Sequence, residues 1–302
     1  MTDKSEFLRI MKDEDCKILS DSPMSAQTTF KTGGNAEIIV LPKNINALVC
    51  AVNAAKKLEL PVTIIGNGSN LLVKDCGISG VVIKTASMDE DITVNGNFLS
   101  CSSGTSLTHL CVAACDNSLT GLEFAYGIPG SVGGAVHMNA GAYGGEIKDV
   151  LRSVTHLTPL GEIKTVPAEY LRLGYRTSIY AKEQGYIVLS AEFELKKGEK
   201  TEIKNKMTEL MSRRKEKQPL EFPSAGSTFK RPEGNFAGAL IEQCGLKGFK
   251  IGGAQVSEKH AGFIINTGGA TSGDIIALIN YVKETVKKKT GVTLEPEIKI
   301  LP

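Results

Sequence analysis

One stretch constrains this chain more than any other: Gly127-Ile128-Pro129-Gly130-Ser131-Val132-Gly133-Gly134-Ala135, followed by Asn139, Gly141 and Gly144-Gly145. It is long, mostly uncharged and built from small residues. Glycine loses more chain entropy on folding than any other residue, so such a loop is costly unless backbone must approach something closely. A second cluster, Gly66-Asn67-Gly68-Ser69-Asn70-Leu71, directly follows the apolar run Val62–Ile65. A glycine turn after a strand can offer consecutive backbone N–H groups to an anion. The same residues also suit a plain turn. Together the two loops suit one extended ligand carrying a diphosphate. They account for much of the surplus of glycine, 32 residues in 302 where average usage gives about 21.

The standard templates fail around these loops. No G-x-x-x-x-G-K-[ST] run exists, so there is no P-loop. Leu71 stands where a dinucleotide fingerprint needs its third small residue. Ser69, Ser131 and Ser227 follow Asn67, Pro129 and Ala225 at the position where a nucleophile elbow requires glycine. His109, His137, His156 and His260 show no metal-ligand spacing, and the seven Cys contain no C-x-x-C pair. No metal and no disulfide framework are expected. Cys111 and Cys115, four apart beside Leu107 and Leu110, read as buried apolar filler. With 35 basic and 33 acidic residues the formal charge is +2, which gives no field suited to nucleic acid. No apolar run approaches 18 residues, and residues 1–17 lack a signal-peptide core. A cytoplasmic protein without membrane insertion is expected.

Periodicity describes an α+β chain. Ile45, Leu48, Val49, Val52 and Ala55 recur at helical spacing between Asn44 and Leu58, and Pro61 stops that helix before short strands at 62–65, 71–73 and 81–83. Asn95-Gly96 predicts a hairpin between Ile92 and Leu99. A capped helix is expected over Thr105–Asp116, a hairpin over Val154–Val166 and an alternating strand over Ile187–Leu195. The helix from Thr201 to about Lys215 ends in the basic run Arg213-Arg214-Lys215. Beyond it come a short helix over Asn235–Cys244, a strand over Gly262–Ile265, and a long helix capped by Thr271-Ser272-Gly273-Asp274 and ended by Gly291. A closing strand puts Val292, Leu294, Ile298 and Ile300 on one face and Glu295, Glu297 and Lys299 on the other. By pattern alone Glu297 is a solvated side chain. Strands and helices mix without a steady βαβ beat, which favours α+β over a doubly wound sheet. Three segments are expected, 1–88, 89–198 and 199–302, with the last strand free to return to the first.

Motifs then follow one another along nearly the whole chain. They are Thr29-Phe30-Lys31-Thr32-Gly33-Gly34, GNGSNLLV from Gly66, GIPGSVGGAVHMNAGAYG from Gly127, and Tyr175-Arg176-Thr177-Ser178. SAGSTFKRP from Ser224, Cys244-Gly245-Leu246-Lys247-Gly248, IGGAQVSEKHAGFIIN from Ile251 and Leu294-Glu295-Pro296-Glu297 complete the set. In this order and spacing the chain resembles the UDP-N-acetylenolpyruvoylglucosamine reductases, flavoenzymes of bacterial cell-wall precursor synthesis also called UDP-N-acetylmuramate dehydrogenases. The resemblance implies a two-lobed FAD-binding fold of the vanillyl-alcohol-oxidase type over 1–88 and 89–198, and an α+β substrate-binding domain over 199–302. It implies FAD held non-covalently by Gly66, Asn67, Gly68, Ser69, Asn70 and Leu71 of the first loop. From the second stretch come Gly130, Ser131, Gly133, Gly134, Asn139 and Gly141.

In that family NADPH reduces the flavin and leaves, and the UDP-sugar then occupies the same site. The enolpyruvyl ether carries a C=C conjugated to a carboxylate, so hydride from flavin N5 at the terminal carbon drives charge onto the carboxylate. The resemblance gives Arg176 to that charge, for which a planar, permanently charged fork is suited. It gives Glu297 the part of a protonated donor and Ser227 that of the acid that protonates the neighbouring carbon, yielding UDP-N-acetylmuramate. Tyr175, Lys247 and His260 match positions that contact the sugar nucleotide.

Two departures stand out. Arg231 precedes Pro232 where one branch of the family has Asn, and only eight residues, Ile179 to Tyr186, separate Ser178 from the next strand. The inserted loop whose Tyr clamps the substrate diphosphate in that branch is therefore missing, as in the shorter form of the family. Arg213, Arg214 and Lys217 are candidates to hold the diphosphate, although a basic helix end also reads as a solvated face. Two other readings share the loops: a flavin oxidase acting on an alcohol or sugar, and a non-catalytic nucleotide-binding module. A monomer is favoured.

Overall fold

The computed structural model describes residues 3–89 and 91–302. Contacts divide the chain into two compact units, each assembled from separate segments. The first comprises the segment ending at Leu19, Ile38–Asn67 and Gly80–Arg213; the second comprises Ser20–Glu37, Gly68–Ser79 and Arg214–Pro302. Among the described residues no helix is long and apolar enough to cross a membrane.

In the first unit the expected amphipathic helix runs Ile45–Lys57, and the Asn44 side chain caps it by accepting from Ala47 N at 2.9 Å. Its buried face, Leu48, Ala51, Val52 and Ala55, shares a core with Val81 and Ile83. The strand Val62–Ile65 pairs in parallel with Ile78–Lys84, in the register Val62↔Val81. A parallel pair needs a crossover connection, and here the glycine-rich segment after Ile65 lies within it.

The rest of that unit is built on a five-stranded antiparallel sheet. Its order is Ile163–Pro167, Leu151–Leu157, Ile187–Glu194, Phe98–Ser102 and Ile92–Asn95. The Asn95-Gly96 hairpin closes with Asn95 opposite Phe98. One face packs against the helix Leu107–Asp116, which Ser106 caps, and the helix Val132–Met138. Cys111 and Cys115 lie buried in that core as free thiols. Burial pushes the Cys111 thiol up, so it stays a neutral, weak donor to Leu122 O.

The second unit carries a four-stranded antiparallel sheet, ordered Ser224–Ser227, Phe263–Asn266, Ala254–Val256 and Lys250–Ile251. The helices Ala237–Gln243 and Ser272–Thr290 pack on it through Leu240, Ile241, Ile275, Ile279, Val282 and Val286. The capping box forms as read, with Thr271 accepting from Asp274 N, and Gly291 ends the long helix in the left-handed region at φ 76°. A second strand pair, Leu71–Val73 with Lys299–Leu301, is parallel.

Two sequence expectations are corrected. Regular pairing of the closing strand spans only Lys299–Leu301, because Pro296 lacks an N–H to continue a ladder and makes only an isolated bridge with Phe229. Leu294 and Ile298 are buried as expected, but Ile300 is 41% exposed. The glycine stretch from Gly127 is also not a loop throughout. From Val132 it turns into a helix that runs to Met138, and Asn139 stops it in the left-handed conformation at φ 43°.

Candidate active site

The functional candidates fall into two groups, one in each unit. In the first unit Gly66 follows directly on Ile65, where a Cβ would collide with Ser131 Oγ, so only glycine leaves that approach open. Asn67 Nδ2 donates to Pro129 O at 3.2 Å, tying the first loop to the second. Ser131 caps the helix Val132–Met138. The N–H groups of Val132 and Gly133 turn inward to Thr105 O and Ser103 O, both at 2.8 Å. A Cβ on Gly133 would come within 2.9 Å of Ser103 Cβ. Among the described residues, by contrast, the Asn67 N–H meets no protein acceptor. Ser103 Oγ is fully buried and lacks a hydrogen-bond partner. An open amide, an orphaned hydroxyl and tightly packed, uncharged walls fit a cofactor with an anionic bridge.

Asn139 and Gly141 of the second stretch are engaged with protein partners. The Asn139 amide is buried and wholly engaged, donating to Glu146 Oε2 and Gly174 O, both at 3.0 Å, and accepting from Lys148 N at 2.9 Å. Gly141 O accepts from Arg176 Nη2 at 3.1 Å. Arg176 sits in a tight turn, bracketed by the Gly174–Thr177 bridge, with its own φ at 53°. Its guanidinium lies 5.2 Å from the ring centre of Tyr175, which is 49% exposed.

The second unit gathers the other candidates. From Gly68 onward the first glycine loop belongs to this unit: Thr29 N donates to Gly68 O, and Asn70 Nδ2 donates to Glu297 O at 3.3 Å. Lys299 N donates to Asn70 O at 2.9 Å, and Leu71 pairs with Lys299. Ser227 ends the strand Ser224–Ser227, after a bulge, opposite Phe263. The next residues run antiparallel to the closing segment: Glu297 N donates to Thr228 O and Lys230 N to Glu295 O, both at 2.8 Å. Backbone pairing thus sets Thr228, the residue after Ser227, opposite Glu297, and Glu297 is half-buried rather than solvated.

His260 packs edge-on against Phe263, the residue opposite Ser227, at 5.0 Å between ring centres. Its Nδ1 accepts from Gly262 N at 3.1 Å. Burial pushes its pKa down, with Lys247 adding to that effect and Glu242 opposing it. The neutral ring therefore carries its proton on Nε2. Lys247 is ion-paired with Glu242 at 2.7 Å. Glu242, Phe263, Ser103 and Glu146 carry no signal in sequence, since each gains its place only through a neighbour distant in the chain. Of the basic residues considered for a diphosphate, Arg213 pairs with Glu209, Arg214 is buried at 7% exposure, and Lys217 is exposed. The basic helix end is therefore not simply a solvated face.

Residues 36–167 match the family model of an FAD binding domain. Residues 218–301 match that of the UDP-N-acetylenolpyruvoylglucosamine reductase C-terminal domain. The chain is 50% identical to the UDP-N-acetylenolpyruvoylglucosamine reductase of Clostridium perfringens, over 100% of this chain and 99% of the relative. It is 52% identical to that of Agathobacter rectalis over 94% of each. The crystal structure of the Thermus caldophilus enzyme superposes with a TM-score of 0.80 at 34% identity, covering 95% of this chain and 99% of the other. The expected fold class holds: an FAD-binding fold of the vanillyl-alcohol-oxidase type joined to a C-terminal α+β domain. On these matches along its whole length, the chain belongs to the UDP-N-acetylenolpyruvoylglucosamine reductase family and is an FAD-domain oxidoreductase of peptidoglycan precursor synthesis.

Proposed function

We propose that this chain uses NADPH to reduce the enolpyruvyl group of UDP-N-acetylglucosamine enolpyruvate, giving UDP-N-acetylmuramate, in the cytoplasm and as a monomer. Segments 1–88 and 89–198 serve as the cofactor lobes and 199–302 as the substrate-binding domain. FAD, held without a covalent bond, supplies the hydride when bound. Gly66 to Leu71 form the loop that meets it, and Gly130, Ser131, Gly133 and Gly134 supply the close wall.

The observation that supports this reading is the backbone pairing that sets Thr228, the residue after Ser227, opposite Glu297. Ser227 hands its hydroxyl proton to the substrate carbon next to the one that receives hydride. Serine is a weak acid, so the step depends on groups that stabilise its alkoxide. Arg176 meets the charge that develops on the substrate carboxylate, and Glu297 adds a hydrogen bond there in its protonated form. Tyr175 and Lys247 contact the sugar nucleotide. His260, uncharged at neutral pH, donates through Nε2 to a polar group of the same ligand.

The test is a two-step measurement on purified protein. A yellow preparation should release FAD on denaturation, NADPH should bleach it, and the enolpyruvyl sugar nucleotide should restore the oxidised spectrum. Rapid reoxidation by oxygen with no response to the sugar nucleotide would instead indicate a flavin oxidase. A bound nucleotide with no NADPH consumption would indicate a non-catalytic module.

A further inference from the structure

Arg176 adopts a backbone conformation that a non-glycine residue reaches only at a cost, and such strain persists where the surroundings over-determine it. The surroundings here are specific. Gly174 and Thr177 exchange two backbone hydrogen bonds across the turn, at 3.0 and 3.2 Å, and the same Gly174 O also accepts from Asn139 Nδ2. Asn139 is itself left-handed and fully buried, and its second amide hydrogen goes to the Glu146 carboxylate. One strained residue therefore braces another, through an amide that has no hydrogen-bonding capacity left for a ligand on its donor side.

The guanidinium end is held from the same place. Arg176 Nη2 donates to Gly141 O, and Gly141 stands opposite Glu146 in the hairpin Gly141–Ala142 with Gly145–Glu146. A Cβ on Gly141 would come within 2.8 Å of Glu146 Cγ, so that carboxylate stem and the Arg176 anchor share one wall. Glu146 is also ion-paired with Lys148 at 2.7 Å. Lys148 chiefly, then Asn139 and Arg176, keep its carboxyl below the ordinary range, so it is ionised throughout the neutral region.

We infer that Glu146 and Asn139 form a positioning pair that fixes the Arg176 turn, and with it the direction of the guanidinium, before the substrate carboxylate arrives. Asn139 thereby takes the part of a brace rather than of a cofactor contact. The inference rests on the reading that Arg176 meets the substrate carboxylate. It extends that reading to two residues that touch neither substrate nor flavin.

A double-mutant cycle on the FAD-loaded protein tests it. Glu146→Ala removes both charge and hydrogen bond, and Glu146→Gln restores an acceptor for Asn139. Glu146→Ala should slow reoxidation by the enolpyruvyl sugar nucleotide about tenfold, the scale of one lost charge-assisted hydrogen bond. Flavin reduction by NADPH and FAD content should stay near wild type, and Glu146→Gln should recover part of the loss. In an Arg176→Ala background, Glu146→Ala should cost nothing further. Equal losses in both backgrounds would overturn the proposal, since a general structural role is additive. So would loss of FAD from Glu146→Ala or Asn139→Ser, which would restore Asn139 to the cofactor. If Arg176→Ala alone leaves reoxidation untouched, it is the underlying reading of Arg176 that fails. If Arg176→Ala is severe and Glu146→Ala is silent, only the positioning pair fails.

Discussion

The two groups of candidate residues are held in opposite ways. Around Arg176 a short backbone turn is anchored by side chains: the Asn139 amide, the Glu146 carboxylate, and Ser178 Oγ, which donates to His137 O at 2.7 Å. Around Ser227 and Glu297 it depends on the main chain, with Glu297 N on Thr228 O and Ser227 paired with Phe263. A backbone ladder survives almost any side-chain substitution, whereas a buried amide network fails when one member is removed. The contrast teaches where chemistry can be removed cleanly and where position is lost with it.

The sharpest test of that contrast is Ser227→Ala. The ladder should keep the segment in place, so flavin reduction by NADPH should run at the wild-type rate. Reoxidation by the enolpyruvyl compound should slow by about two to four powers of ten, the usual worth of one positioned acid. Stopped-flow traces with both half-reactions equally slowed would break the comparison, because the hydroxyl would then be holding structure.

Glu297 comes next. Its backbone is fixed through Thr228 and Asn70, so Glu297→Gln and Glu297→Ala should differ only in what the side chain offers. If the carboxyl donates a hydrogen bond, Gln should retain more of the substrate half-reaction than Ala, by about tenfold. Equal and severe losses in both would point to proton transfer through Glu297. Wild-type behaviour of Glu297→Ala would return the residue to the solvated face that its strand pattern suggested.

A smaller effect is expected at Gly66→Ala, where the new methyl collides with Ser131 Oγ. Overpacking of this kind costs about 1–3 kcal/mol. FAD affinity, followed by fluorescence of the released flavin, should fall about tenfold or more while the second unit's ladder is unaffected. Undiminished affinity would show that the Gly66 approach to Ser131 does not shape the cofactor wall.

The smallest effect lies away from both groups. Asp75 caps the helix Ser272–Thr290, accepting from Ser272 N at 2.9 Å and Gly273 N at 3.2 Å. Burial works to raise its pKa, but the donors of Ser272 and Gly273 outweigh it and lower the carboxyl below its ordinary value. A depressed carboxyl pKa contributes stability that is present above the ordinary carboxylate pKa and is lost as pH falls through the folded value. Asp75→Ala should therefore cost about 1 kcal/mol near neutral pH, and that cost should shrink in acid. Thermal unfolding between pH 7 and 3 checks this, with both half-reactions unchanged at 25 °C. A pH-independent loss would mean that the carboxylate contributes packing and no charge.

Much of this molecule was legible without coordinates because the forces concerned are local. Apolar spacing set the helices 45–57 and 272–290, Asn95-Gly96 set a hairpin turn, and the Thr271-to-Asp274 box set a helix start, each within a few residues of chain. The motifs around Arg176, Ser227 and Glu297 were legible as residue types in order. Their arrangement was not. Pro296 broke a strand whose alternation looked regular, because a ladder needs an N–H that alternation does not reveal. Helix initiation at Val132 inside a glycine run depended on Ser131 capping it and on Thr105 and Ser103 accepting its first amides. By itself the sequence determined the elements, the glycine approaches and the family. Only the tertiary structure decided that Asn139 braces a turn 35 residues away and that Glu297 lies beside Thr228, since those contacts join segments whose encounter no local preference encodes.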